Sequence, residues 1–178
     1  MPCVLTSDFT FLGCKGGLGG IRKVYMTEWA NLSGSGSTAP VVTAGVIGTW
    51  VLATGKEFKT YVLDQEFGSF TDPLNVSESG AITYEPTIDF TITGLAIANF
   101  IEINLIAKNY LCMIVLDENG KYYAFGVDRP MGLVTATADT NTKLEEGANQ
   151  KLSFKGKQSI HIYEVNSSLI TALTTPTP

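Results

Sequence analysis

The single histidine of the chain, His161, is where any imidazole chemistry would have to start, because a Ser-His-Asp triad or a His-bearing metal site needs at least one. It lies in Ser159-Ile-His-Ile-Tyr-Glu-Val165, where Ile160, Ile162 and Glu164 alternate with His161, Tyr163 and Val165. That is the period of a strand, and a satisfied or surface histidine is its plainer reading. The carboxylates Asp64, Glu66, Glu85 and Asp89 fall on solvent-facing positions of strand-like segments, a spacing that suits a wet sheet face better than an acid/base pair. Asp117-Glu-Asn-Gly120 has the composition of a calcium loop without the spacing that ends in a bidentate Glu, and a hairpin turn accounts for each of its residues. In Gly13-Cys-Lys-Gly-Gly-Leu-Gly-Gly20, Lys15 precedes the glycine cluster, whereas a phosphate loop needs Lys and then Ser or Thr directly after its last glycine; the stretch reads as a glycine turn. Cys3, Cys14 and Cys112 cannot all pair, and Cys112 sits in an apolar run where a thiol acts as a small hydrophobe. The Asn-x-Ser/Thr triplets at Asn31, Asn75 and Asn166 matter only in a secreted chain. The sequence therefore predicts no catalytic residue, no cofactor and no metal ligand, and a protein that is not an enzyme.

The elements that would position any site follow from hydrophobic period. Around a central stretch from Ala81 to Val127 the chain reads strand, helix, hairpin. Ile82, Tyr84, Ile88, Phe90 and Ile92 alternate with Thr83, Glu85, Thr87, Asp89, Thr91 and Thr93, and Pro86, which has no N–H for a ladder, belongs at an edge or a bulge. Over 95–108 the period changes: Ile97, Phe100, Ile101 and Leu105 recur at three and four, with Asn99, Glu102 and Lys108 for the other side, which predicts one short amphipathic helix. Tyr110 to Val127, an apolar run and an aromatic run about Asn119-Gly120, is a β-hairpin. Further strands are expected at 9–12, 56–64, 150–156 and 159–165, and a long polar connection at 65–80; 21–30 fits a strand with a bulge or a short helix, and its flanking glycines and β-branched residues favour the strand. The fold class is mainly β, an antiparallel β-sandwich or barrel with one edge helix.

At 178 residues the chain is most simply a single domain, 1–178, large enough to bury a core without staples. It lacks the roughly 18 uninterrupted apolar residues of a membrane helix, and its start lacks the basic head and apolar run of a signal peptide; a soluble, non-secreted chain with no membrane partner is expected. Twelve basic against 17 acidic residues, a net charge of −5, argue against wrapping of nucleic acid by a basic surface. Three stretches carry apolar content with weak periodicity: a Ser/Gly/Ala-rich loop or arm at 31–52, an excursion at 133–148, and an extended C-terminal tail at 166–178. In the first, Ala44, Gly45 and Gly48 thin an apolar run, so that Val41, Val42, Val46, Ile47 and Trp50 form either an inter-subunit arm or a plain interior strand.

The order of these elements resembles a known family. Val24-Tyr-Met-Thr-Glu-Trp-Ala-Asn31, Lys56-Glu-Phe-Lys-Thr-Tyr-Val-Leu-Asp-Gln-Glu-Phe-Gly-Ser69, Ile82-Thr-Tyr-Glu85, Leu105-Ile-Ala-Lys-Asn-Tyr-Leu111, Ile114-Val-Leu-Asp-Glu-Asn-Gly-Lys-Tyr-Tyr-Ala-Phe-Gly126 and Leu152-Ser-Phe-Lys-Gly156 resemble structural proteins of tailed bacteriophages. They look most like the tail-tube and tail-ring subunits of phages with Bacteroidetes hosts, within a superfamily that includes type VI secretion tube subunits. The resemblance implies a β-sandwich or barrel with one helix, a homo-oligomeric ring that is usually sixfold, other tail or neck proteins as partners, and DNA in transient, non-specific passage. It also implies a virion location, with synthesis in the host bacterial cytoplasm.

Elementary size and charge agree with a conduit. A globule of this length has a gyration radius of roughly 16 Å, so one copy could not surround a duplex and a conduit needs several. An acidic wall would let a polyanion slide without adhering, with Glu85 and Asp89 as the lumen-facing residues. The reading from a different class is a β-sandwich module that recognises carbohydrate or a host surface through Trp29, Trp50, Tyr122 and Tyr123. A hydrolase built on His161 is a third.

Overall fold

The apolar run Leu111–Asp117 is buried at each of its seven positions, on both faces, and the rest of the chain is arranged to cover it. The computed structural model describes residues 18–64, 66–140 and 147–176. In chain order its elements are β1 (Ile21–Glu28), a 3-10 turn (Trp29–Leu32), β2 (Thr38–Thr43), β3 (Val46–Val51), β4 (Lys59–Val62), β5 (Gly68–Thr71), β6 (Leu74–Val76), β7 (Ile82–Tyr84), β8 (Thr87–Thr93), α1 (Ile97–Lys108), β9 (Leu111–Asp117), β10 (Tyr122–Phe125), β11 (Met131–Asp139), β12 (Asn149–Gly156), β13 (Tyr163–Val165) and α2 (Ser167–Leu173).

The central strand β9 pairs β1 along its whole length on one side and β10 on the other. Outward from these lie β4 beyond β1, and β13, β3 and β2 beyond β10. A second group, β11-β12-β8-β5, joins this sheet through one pair, Met131↔Leu111, and faces it to make a β-sandwich. Pairing is antiparallel as the sequence predicts; β13 on β3 is the one parallel pair among the described residues. The chain crosses from one layer to the other at Gly126, where φ is +78° and a Cβ would meet the Leu111 carbonyl oxygen at 2.7 Å, so only glycine fits the corner.

Because side chains alternate along a strand, β9 feeds two cores. Leu111, Met113 and Val115 join Val24, Met26 and Phe125 of the same sheet and Ile88, Phe90, Leu152 and Phe154 of the facing one. Cys112, Ile114 and Leu116 point the other way, into a second core with Tyr25, Ile47, Trp50, Leu52, Phe58, Val165, Ile170 and Leu173. Burial raises the Cys112 thiol far above the ordinary range, and its Sγ donates to the Phe125 carbonyl at 3.3 Å. Burial also pushes the Tyr25 phenol up to about 12, with Tyr122 beside it adding to the shift.

The hairpin about Asn119-Gly120 forms as expected, closed by Lys121 N–H donating to the Asp117 carboxylate at 2.7 Å. The β1 strand carries a register shift between Ile21 and Lys23, the bulge its sequence allows. Four expectations are corrected. The alternating stretch 82–93 is two strands, because buried Pro86 breaks the ladder: β7 leaves the main sheet to pair with β6, while β8 stays in it. The excursion at 133–148 begins as a strand, with β11 in an eight-pair register to β12; residues 141–146 lie outside the described residues. The polar connection at 65–80 contains β5 and β6.

The fourth correction concerns the tail. Residues 167–173 are a helix, started by the Asn166 side chain, which accepts from the Ser168 N–H at 3.1 Å. Ile170 and Leu173 insert into the second core, and the Phe58 N–H donates to the Leu173 carbonyl at 2.8 Å. The expected strand at 9–12 lies outside the described residues.

Replacing Leu173 with alanine should lower unfolding free energy by about 2–4 kcal/mol, the cost of emptying a buried leucine site. Urea denaturation of Leu173→Ala reads this directly; an unchanged midpoint would mean that the tail does not seal the second core.

Candidate assembly surface

An acidic sandwich with two filled cores has little reason to leave large apolar side chains in rows on its outside, yet two rows are present. The first is on α1. The sequence predicts that Ile97, Phe100, Ile101 and Leu105 turn inward and that Asn99, Glu102 and Lys108 face water. Glu102 and Lys108 are exposed as expected, but the apolar stripe turns outward as well. Ile97 is 78% exposed, Ile101 59% and Leu105 52%, whereas Ile106 is buried and Ile103 packs against the first core. Asn99, Glu102, Ile103 and Ile106 line a cavity of about 250 Å³ between the helix and Met26, Tyr61, Ile92 and Leu152. Glu102 is held there by the Tyr61 hydroxyl, which donates to it at 3.0 Å. Burial, and then this carboxylate, keep the Tyr61 phenol above its ordinary range. Ile103 and Ile106 thus seat the helix, with the exposed Tyr61–Glu102 bond at its edge, and the apolar stripe is left outward.

The second row is on the β6–β7 ribbon. Leu74 opposes Tyr84 and Val76 opposes Ile82, so all four share one face, with Asn75 and Thr83 on the other. Leu74, Val76 and Ile82 are exposed. The turn between the strands is closed by Ser77 N–H to the Ala81 carbonyl and Gly80 N–H to the Ser77 carbonyl, each at 2.9 Å.

The root of the ribbon is bolted to the segment before β13. His161 Nδ1 lies 2.5 Å from Asp72 Oδ2, and the Ile162 N–H donates to the same oxygen at 3.3 Å. Asp72 is 4% exposed in its side chain, and its Oδ1 has no hydrogen-bond partner among the described residues. The Tyr84 ring lies tilted by 35° against the His161 ring at 5.1 Å and Tyr84 exchanges backbone hydrogen bonds with Gln158, while Glu85 pairs with Lys157 at 3.2 Å. The histidine is thus a surface residue held by a buried carboxylate, and its partners hold the ribbon in place.

The remaining predicted positions separate. Ile47 and Trp50 are buried in the chain's own second core, Trp50 edge-on to Phe58 at 5.6 Å, so neither is a contact for another copy. Val41 and Val42 on the outermost strand β2 remain exposed and Val46 is half-buried. As an aromatic platform, Trp50 is unavailable; Trp29 packs against the second core, and Tyr122 and Tyr123 turn to opposite faces of β10, against Tyr25 and Phe70. Glu85 and Asp89 do not form one acidic face. Glu85 is ion-paired between strands, and Asp89 stands exposed in a row with Ser69 and Ser153 on its neighbouring strands. Asp64 and Glu66 lie in the connection after β4, where Asp64 accepts from the Thr93 hydroxyl at 2.7 Å.

Among the described residues no three His, Cys, Asp or Glu side chains are grouped to hold a metal ion, and no helix is long and apolar enough to cross a membrane.

No family model, curated protein or solved structure matches this chain.

Sequence reasoning missed both rows for identifiable reasons. For α1, spacing reveals an apolar stripe but not which layer it faces. For the ribbon, the signal was present as Leu74, Val76, Ile82 and Tyr84 flanking Ser77-Glu-Ser-Gly80, a hairpin pattern shortened by Pro73 and Pro86.

Asp72→Ala should release the root of the ribbon while leaving the cores intact. Hydrogen exchange by mass spectrometry should then show faster exchange over 74–84 with 111–117 unchanged; equal protection in both proteins would refute the bolt.

Proposed function

We propose that this protein is a non-enzymatic structural subunit of a phage tail or neck, which assembles with copies of itself into a ring around the path taken by DNA. The observation that carries the reading is the outward apolar stripe of α1. Ile97, Ile101 and Leu105 lie on successive turns of a helix that is seated on its own body by Ile103 and Ile106. A helix set this way leaves an apolar surface in water unless another molecule covers it.

Three further features support the reading. The order of elements resembles tail-tube and tail-ring subunits. The net charge of −5 suits a wall past which a polyanion must slide. The apolar rows on α1 and on the ribbon are different surfaces, and a chain with two unlike sticky surfaces associates head to tail, which closes into a ring when the rotation allows. Sixfold closure, neighbouring tail proteins and a virion location come with the resemblance alone.

Purified protein sized by mass photometry and imaged in negative stain should give annular particles of several subunits. Ile101→Glu should weaken association at least tenfold, the effect of losing one central apolar contact, and return the protein to monomers. A wild-type protein that stays monomeric at every concentration, free and in the presence of the other tail components, would overturn the proposal.

A further inference from the structure

The two apolar rows match each other in length, and each ends beside a charge opposite in sign to the other's, Lys108 on the helix and Glu78 on the ribbon. We propose that the stripe on α1 of one copy receives the apolar face of the β6–β7 ribbon of the next; the inference rests on the ring-subunit reading and names the surfaces that join the ring.

Length comes first. From Ile97 to Leu105 the stripe runs about 12 Å at ~1.5 Å per residue. The ribbon from Leu74 to the tip of its turn runs about 10–13 Å at ~3.3 Å per residue. A ribbon laid along the helix therefore covers the stripe from one end to the other.

Coverage separates this contact from the simpler pairing. Helix against helix would use one row and leave the ribbon bare. Ribbon against helix uses both rows of every subunit, each copy giving its ribbon to one neighbour and its helix to the other. The rows do not cover each other within one chain, since both are open to solvent there. The chain enters β8 from the ribbon and leaves it for α1, so the ribbon's root and the helix's first turn are about 20 Å apart at ~3.3 Å per residue.

Charge sets the direction. Lys108 continues the line of Ile97, Ile101 and Leu105 at the last turn of α1, and Glu78 sits at the ribbon's tip. Neither has an ion-pair partner among the described residues. With the tip laid toward the helix C-terminus the two meet, and Lys108 also lies where the helix dipole favours a cation. With the ribbon reversed, Glu78 would fall beside Ala96 and Ile97 and Lys108 would have no partner.

Disulfide trapping tests the register. In a Cys3→Ser/Cys14→Ser background, where Cys112 is buried and unreactive, the protein carrying both Val76→Cys and Ile101→Cys should give on oxidation a ladder of covalent dimers, trimers and higher species on a denaturing gel. Either cysteine alone should give almost none. Dimers from Ile101→Cys alone, or from Val76→Cys alone, would show like-with-like pairing and overturn the inference. Glu78→Lys and Lys108→Glu should each weaken assembly several-fold, and the double exchange should recover most of it; additive losses would also count against the contact. If the parent protein forms rings but the double cysteine gives no ladder, the ribbon-to-helix contact is wrong and the ring reading stands. If the parent forms no particles, both fall together.

Discussion

Two-sided burial of β9 is the constraint on which this fold depends. A strand with apolar side chains on both faces is stable only if each face is covered, and one sheet packed on another covers one face only. The facing group β11-β12-β8-β5 supplies the first cover. The second has to come from elsewhere in the chain, and it comes from three sequence-distant pieces: β3, the segment around Phe58, and α2. This requirement explains why the C-terminal residues fold back as a helix. It also explains why Ile47 and Trp50 turn into the chain's own second core. Gly48 and Thr49 stand exposed while Ile47 and Trp50 point inward, so β3, held between β2 and β13, is a half-buried strand whose outer positions are small.

With both faces of β9 closed by its own chain, the monomer has complete cores, and what it lacks is cover for surfaces outside them. That changes the physical basis on which self-association would rest. A subunit short of core would gain folding free energy from its neighbours and could not be separated from them. A subunit with filled cores and two exposed apolar rows would fold alone and assemble in a second step. Its contacts would then be adjustable by single side chains without disturbing the sandwich, since Ile97, Ile101, Val76 and Ile82 touch neither core.

How much of this was legible in the sequence follows from the range over which each signal acts. The β9–β10 hairpin depends on neighbours in sequence, on Asn119-Gly120 and the two runs beside it, and it reads correctly. The same holds for β1 with its bulge and for the existence of α1 within two residues of its ends. Failures begin where an element's environment is set at a distance. The apolar stripe of α1 was visible, but its direction is set by the distant residues of the first core on which Ile103 and Ile106 seat, with Tyr61, 41 residues away, bonding Glu102 at the edge. The alternation of 82–93 was visible, but nothing local tells that Pro86 marks a change of sheet. The Asn166-Ser-Ser168 cap and the spacing of Leu169, Ile170 and Leu173 were local signals of α2 that the Thr-Pro ending obscured.

The His161–Asp72 pair shows how the same chemistry can be misread from composition. A lone histidine invites a catalytic reading, and its carboxylate partner would complete two-thirds of a triad. Here the histidine is the exposed member and the aspartate the buried one, with a backbone N–H and the Tyr84 ring completing the set. In a nucleophile-activating site the imidazole bridges the buried acid and a hydroxyl or thiol. Among the described residues this imidazole bridges the acid and an aromatic face instead, a geometry suited to holding two chain segments together. The segment it holds carries one of the two apolar rows, so the one residue that most invited an enzymatic reading bears on orientation of the surface on which assembly would depend.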